Sequence, residues 1–256
     1  ELLRRTTRRV HVTEAGEMLM AYCDRILGAV DELSAELDAR QGHLRGTVRV
    51  GATEVFAMHA LPLAIARLAG DHPDILMKSF HLGADAIQQA LLEGRIDVGL
   101  TVAGPHTAGL DSQVLVQSPA VLVCGQAHPL AGSGEIAAAD LETHAFVVPQ
   151  FFGREHLADL DGFPGGGRRI GATVELVSMA VAMIETGRFV GYLPRIAVAG
   201  ALRHGSIREL RGIAPGAPFE LLALTRPDEA PRPAVTALVE RLRATLQDAL
   251  GIARAA

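Results

Sequence analysis

The sequence predicts an α/β protein of two lobes with a cleft between them, preceded by a short basic segment and one long helix. Three observations predict it. Strand and helix patterns alternate along the chain in two series of similar size. The strands are apolar on both faces, as in a parallel sheet covered by helices on either side. Ahead of both series, residues 14–40 carry a narrow apolar stripe with heptad spacing.

The chain opens ELLRRTTRRVHV. Arg4, Arg5, Arg8 and Arg9 stand against one acid, Glu1, a balance of +3 over residues 1–11, whereas residues 12–256 carry −8. Positive charge confined to one short segment of an acidic body points to a polyanion contact, or else to a solvated, frayed terminus. Thr13 can cap the following helix, with Glu14 and Glu17 in the first turn, where the helix dipole favours acids. Leu19, Ile26 and Leu33 are seven residues apart, as are Cys23, Val30 and Leu37. The opposite face, with Asp24, Arg25, Asp31, Glu32, Asp38 and Arg40, is charged. So narrow a stripe predicts pairing with a second helix rather than packing on its own domain. Gly42 ends the helix.

The first α/β series then reads as a strand at 47–52, a helix at 60–70, a strand at 75–80, a helix at 84–94 stopped by Gly94, and a strand at 96–102. After a strand at 119–125 and the turn HPLAGSGE, the second series gives a strand at 145–149, a helix at 154–163 and a strand at 168–175. A helix at 176–187 and strands at 188–194 and 219–226 follow. A closing helix at 231–250 has prolines at its first turn, where the missing N–H costs nothing.

At 256 residues and 49% hydrophobic composition the chain can bury a substantial core. No apolar run approaches the roughly 18 residues that a membrane span needs, and no apolar stretch precedes a cleavage site, so the expected location is the cytoplasm. Two distant cysteines, Cys23 and Cys124, imply neither a disulfide framework nor a metal site. Cys124, within an apolar strand, reads as a small core residue. GGGRRIG at 165–171 precedes a strand and lacks the GxGxxG spacing, so it reads as a flexible loop rather than a phosphate cradle. GSG at 132–134 lacks the flanks of a nucleophile elbow. The ten histidines are scattered singly, without an HExxH pair. These residues predict no enzyme, no cofactor and no metal.

The stretch RRTTRRVHVTEAG resembles the wing and following turn of LysR-type transcriptional regulators, whose pattern is R-x-x-R-x-V-x-L-T-x-A-G. Val12 stands here in place of the leucine. The resemblance continues through GTVRVGAT, ALP, HPDI, ALLEGRIDVGL, HPLA, ETGRFVGYLP and PRPAV, and so covers essentially the whole chain. It implies a wing remnant at 1–13, a linker and dimerisation helix at 14–42, and a periplasmic-binding-protein-like effector domain at 46–256. Within that domain, lobe I comprises 46–120 and 225–250 and lobe II comprises 121–224, with two crossover strands as a hinge. In such regulators a helix-turn-helix precedes the wing, and this sequence starts after its recognition helix.

The resemblance also implies partners and site residues. Arg4, Arg5, Arg8 and Arg9 suit phosphate contact, and the Thr6 and Thr7 hydroxyls can add donors; such contacts position a protein on DNA rather than read its sequence. The linker helix implies a homodimer or homotetramer. The effector, a small organic molecule and possibly a carboxylate, belongs at the C-terminal ends of the strands. That places Thr53, Glu54, Val55, Ala84 and Thr101 from lobe I beside Gln150, Phe151 and Ser178 from lobe II. Thr53 and Ser178 either cap their helices or touch ligand, and Glu54 either faces the cleft or caps the helix after it. A free-standing solute-binding protein of the same two-lobe type is the other reading.

Overall fold

The basic opening segment folds as an antiparallel hairpin of β1 (Leu3–Arg5) and β2 (Val10–Val12), with Leu3 opposite Val12 and Arg4 opposite His11. This computed structural model describes residues 1–5, 10–39, 43–104, 108–149, 168–213, 218–227 and 231–252. The expected Gly42 helix stop, the helix at 154–163 and residues 165–167 of the GGGRRIG loop lie outside the described residues, while Arg169 to Gly171 of that stretch are strand. Thr13 ends the hairpin and caps α1 (Glu14–Ala39): its hydroxyl accepts the Gly16 N–H at 3.1 Å and donates to the Glu1 carbonyl at 2.8 Å. Gly16 lets the hairpin lie against the helix, because a Cβ there would sit 2.3 Å from the Leu2 carbonyl oxygen. Near the far end of α1, Asp38 pairs with Arg45 just ahead of the first lobe.

The first sheet has the order β4-β3-β5-β12-β6. β3 (Gly46–Ala52), β4 (Ile75–His81) and β5 (Val98–Val102) run parallel, so each connection needs a crossover helix. α2 (Glu54–His59) and α3 (Leu61–Asp71) supply the first crossover and α4 (Ala84–Leu92) the second. The expected single helix at 60–70 is thus preceded by a short one, broken at Ala60. α4 stops as expected, with Gly94 at a φ of 69° that disfavours any side chain. The remaining strands, β6 (Asp111–Ser118) and β12 (Phe219–Thr225), are antiparallel to one another, and β12 is antiparallel to β5.

The second sheet has the order β11-β7-β10-β8-β9. β8 (Ala145–Pro149) is parallel to β9 (Arg169–Val174) and β10 (Val190–Pro194). β7 (Ala120–Gly125) is antiparallel to β10 and to β11 (Ile207–Glu209). Its helices are the single-turn α5 (Ala138–Leu141), α6 (Val177–Glu185) and α7 (Arg195–His204). The closing helix α8 (Pro233–Leu250) returns to lobe I, where Arg67 of α3 binds Asp248 at 3.0 Å and Arg241 binds Asp71 at 2.5 Å.

Two segments cross between sheets, one from β6 to β7 through Pro119 and one from β11 to β12. The second corrects the expected boundary. Residues 219–224, assigned to lobe II from sequence, are hydrogen-bonded between β5 and β6 in lobe I. At the first crossover, the Arg195 N–H donates to the Pro119 carbonyl at 2.8 Å and the Ile196 N–H to Ser118 Oγ at 3.3 Å. Ile87, Leu91, Ile96 and Leu224 form one outer apolar layer, and Leu122, Leu141, Phe146 and Tyr192 another. The main cluster runs through both lobes, joining Val55, Phe56, Leu68 and Leu238 to Val177, Ala180 and Ala197.

Candidate functional site: the cleft between the lobes

Three strands of lobe I deliver their C-terminal ends to one edge, and each expected site residue there has a defined setting. At the end of β3, Thr53 is extended (φ −69°, ψ 162°), and its carbonyl accepts the N–H groups of Phe56 and Ala57. Its side chain does not cap α2. Instead its N–H and hydroxyl both reach the Leu100 carbonyl, at 2.9 and 3.4 Å, fastening the turn to β5. Val55 is buried in the cluster common to both lobes. Thr101 at the end of β5 is also buried, its hydroxyl 3.4 Å from the Val102 carbonyl. Gly83 precedes α4 in extended conformation without a side-chain cap, leaving Ala84 half-buried at the helix start.

Glu54 does what sequence reasoning did not foresee. It is the first residue of α2, but its carboxylate leaves its own lobe. Oε2 accepts the Val177 N–H at 2.6 Å and Oε1 accepts the Ser178 N–H at 2.9 Å. Those are the opening amides of α6 in lobe II, whose N-cap position is Leu176, a residue without an acceptor in its side chain. The two free donors and the positive end of the helix dipole are thus met by a carboxylate from across the cleft. Of the expected site residues, Glu54 meets Ser178, whereas Thr53 is bonded within its own lobe to Leu100; Gln150 and Phe151 lie outside the described residues. A pairing of residue 54 with residues 177–178 leaves no local trace in the sequence, since more than a hundred residues separate them.

His59 at the end of α2 lies in the same electrostatic setting. Burial pushes its imidazole below the ordinary histidine range, and the Glu54 carboxylate pulls it partly back. In lobe II, His128 is likewise held low, first by burial and then by His144, whose ring centroid is 4.7 Å away. Its Nδ1 accepts the Leu130 N–H at 3.1 Å, which requires an unprotonated nitrogen there. Among the described residues no cluster of three histidine, cysteine or acidic side chains is arranged to hold a metal.

The expected DNA-facing residues fall partly within view. Arg4 is exposed on β1, and Arg5 is the last residue of that strand; Thr6, Thr7, Arg8 and Arg9 lie outside the described residues. Along α1 the heptad stripe faces solvent: Leu19 is 44% exposed, Ile26 63% and Leu33 60%. Leu2, Met18, Leu19 and Tyr22 line an open groove where the hairpin meets the helix.

Comparison with known proteins adds family relationships to this geometry. Residues 41–247 match the family model described as the LysR substrate binding domain. The chain is 30% identical over 135 residues to a Mycobacterium xenopi protein named "Probable hydrogen peroxide-inducible genes activator", covering 53% of this chain and 71% of that one. It is 26% identical over 248 residues to the uncharacterized HTH-type transcriptional regulator YfeR of Shigella flexneri, covering 94% of this chain and 79% of YfeR. The crystal structure of HinK, a LysR family transcriptional regulator from Pseudomonas aeruginosa, superposes with a TM-score of 0.68 at 17% identity, over 92% of this chain and 81% of HinK. Against three further curated relatives the matched part spans 45% to 64% of their length.

Proposed function

The chain belongs to the LysR family of transcriptional regulators, and from that premise we propose that it is a DNA-binding regulator whose small organic effector is held in the cleft between its lobes. One observation carries the reading. Two α/β sheets are joined by two crossovers, and the Glu54 carboxylate of lobe I accepts the Val177 and Ser178 N–H groups at the start of α6 in lobe II, which supports a reading in which the helix starts at Thr53, Ala84 and Ser178 face a common cleft. The basic hairpin and long helix ahead of the lobes fit DNA contact and subunit pairing, and the relative YfeR, named as HTH-type, matches along nearly the whole chain. The family match and those two elements displace the free-standing solute-binding protein as a reading. Regulators of this family are not enzymes. Among the described residues no helix is long and apolar enough to cross a membrane.

The peroxide response in the Mycobacterium xenopi relative's name does not carry over through Cys124. That thiol is buried within β7 and burial pushes its pKa up to about 11, whereas a sensing thiol must be accessible and ionised. Cys23, the second cysteine, is exposed on α1, far from the cleft in sequence.

For the effector we propose a small organic acid. Helix starts from both lobes bring N–H groups and dipoles that favour an anion. The chain has no tryptophan and two tyrosines, a poor stock for an aromatic cage around a cation. A thermal-shift screen of organic acids against matched amines tests this, because a ligand of the native state raises the melting temperature. Stabilisation by one or more acids and by none of the amines is expected; stabilisation by amines alone overturns it.

A further inference from the structure

We propose that Glu54 is a latch between the lobes, holding the cleft shut without ligand and giving way when an acid takes its two donors on α6. The argument begins with where the cap of α6 comes from. A helix start is ordinarily capped by a residue just ahead of it, and such a cap acts whether or not the surrounding lobes move. Here the N-cap position holds Leu176, which cannot accept a hydrogen bond. The acceptor comes from the opposite lobe instead, as Glu54 Oε2 and Oε1 at 2.6 and 2.9 Å from the Val177 and Ser178 nitrogens. A cap supplied from across a cleft stabilises only the closed arrangement. Parting of the lobes leaves two helix N–H groups and one carboxylate without each other, so the contact biases the closed state by its whole free energy.

The surroundings fit a contact that can be exchanged. The side chains of Val55, next to Glu54, and of Val177, whose N–H is one of the two donors, are buried in the cluster spanning both lobes, giving the closed state a dry apolar seam. Glu54 and Ser178 themselves are only half-buried, so solvent and a small solute can reach them. A carboxylate that accepts one hydrogen bond on each oxygen from two consecutive amides also presents the geometry in which an external acid would bind. Such an acid and Glu54 compete for the same donors. An acidic effector seated at α6 therefore has to turn Glu54 out, and its binding is coupled to the spacing of the lobes. This rests on the effector reading above, but the latch is a property of the ligand-free chain and is tested there.

The experiment uses the whole chain without effector. Amide hydrogen exchange is followed at Val177 and Ser178, and the distance between lobes is measured by spin labels on Leu92→Cys and Arg203→Cys in a Cys23→Ser background. Glu54→Ala should speed exchange at both amides by about fivefold or more, as loss of a helix cap does, and should lengthen or broaden the distance distribution. Acetate should restore slow exchange in Glu54→Ala, while matched chloride should not, and neither should change the wild type. Glu54→Gln, which keeps the shape and one acceptor, should fall between the two and serves if the alanine variant folds poorly. Unchanged exchange and distance in both variants would overturn the latch. Faster exchange that acetate fails to reverse would overturn the competition with an acid. A failed effector screen with these results intact would remove the proposed ligand class and leave the latch standing.

Discussion

Asp97 shows how much of lobe I depends on one side chain. Its carboxylate, 3% exposed, accepts the Arg49 backbone N–H at 2.6 Å and the Arg49 guanidinium at 2.9 Å, and pairs with Arg232 at 2.6 Å. It ties β3 to the approach to β5 and to the start of α8. Asp97→Ala should cost up to about 3 kcal/mol, because it removes the buried carboxylate that two partly buried guanidinium groups share; urea unfolding measures it, and a loss within experimental error would contradict the clamp. His59 and His128 set a pH dependence. Both are held below the ordinary imidazole value, so near pH 6.5 and below the unfolded chain binds protons that the native one refuses. Stability should be flat above neutrality and fall as the pH drops through about 6.5 toward the lowered native values. His59→Gln combined with His128→Asn should flatten that part of the wild-type curve. At this scale the sequence was legible where a residue acts on its neighbours. Thr13 caps α1 as expected, and Gly94 stops α4. It was silent where a residue acts across the molecule, as Glu54 does on Val177 and Ser178.

Elements with a strong period were readable, and those without one were not. α1 was marked by its heptads, and the structure leaves that stripe open to solvent along the helix. Among the described residues nothing covers most of the stripe, and we propose that two copies pair there. Light scattering should find a species larger than the monomer, and Ile26→Asp, at the middle of the stripe, should shift it toward monomer without lowering the melting temperature of the lobes. β6 went unassigned because its sequence DSQVLVQS is polar at both ends and its burial lies in Leu115 and Val116. α7 was hidden by following β10 with no turn residue between them, since Pro194 closes the strand and Arg195 opens the helix. The hairpin poses the opposite case, a charge signal whose partner is outside the molecule. Arginines that touch phosphate should give DNA affinity that is indifferent to sequence and steep in salt. Arg4→Ala should reduce the slope of log affinity against log salt by about 1, and a variant with unchanged slope would take Arg4 out of the interface.

At the scale of the whole molecule, alternating strands and helices established two α/β lobes, but could not say to which sheet each late strand returns. β12 follows lobe II in the chain and pairs in lobe I, because its hydrogen-bonding partners β5 and β6 are already in place there. That return makes the second crossover, and we propose that the two crossovers act as a hinge beside a common cleft. We propose that the effector binds in that cleft. Hydrogen exchange along the whole chain, with and without the best stabilising acid from the screen, tests this most directly. The predicted result is slower exchange around Thr53–Phe56, Ala84, Thr101 and Val177–Ala180, with the rest of both lobes little changed. Protection confined to the hairpin, to α1 or to an outer face of either lobe would contradict it.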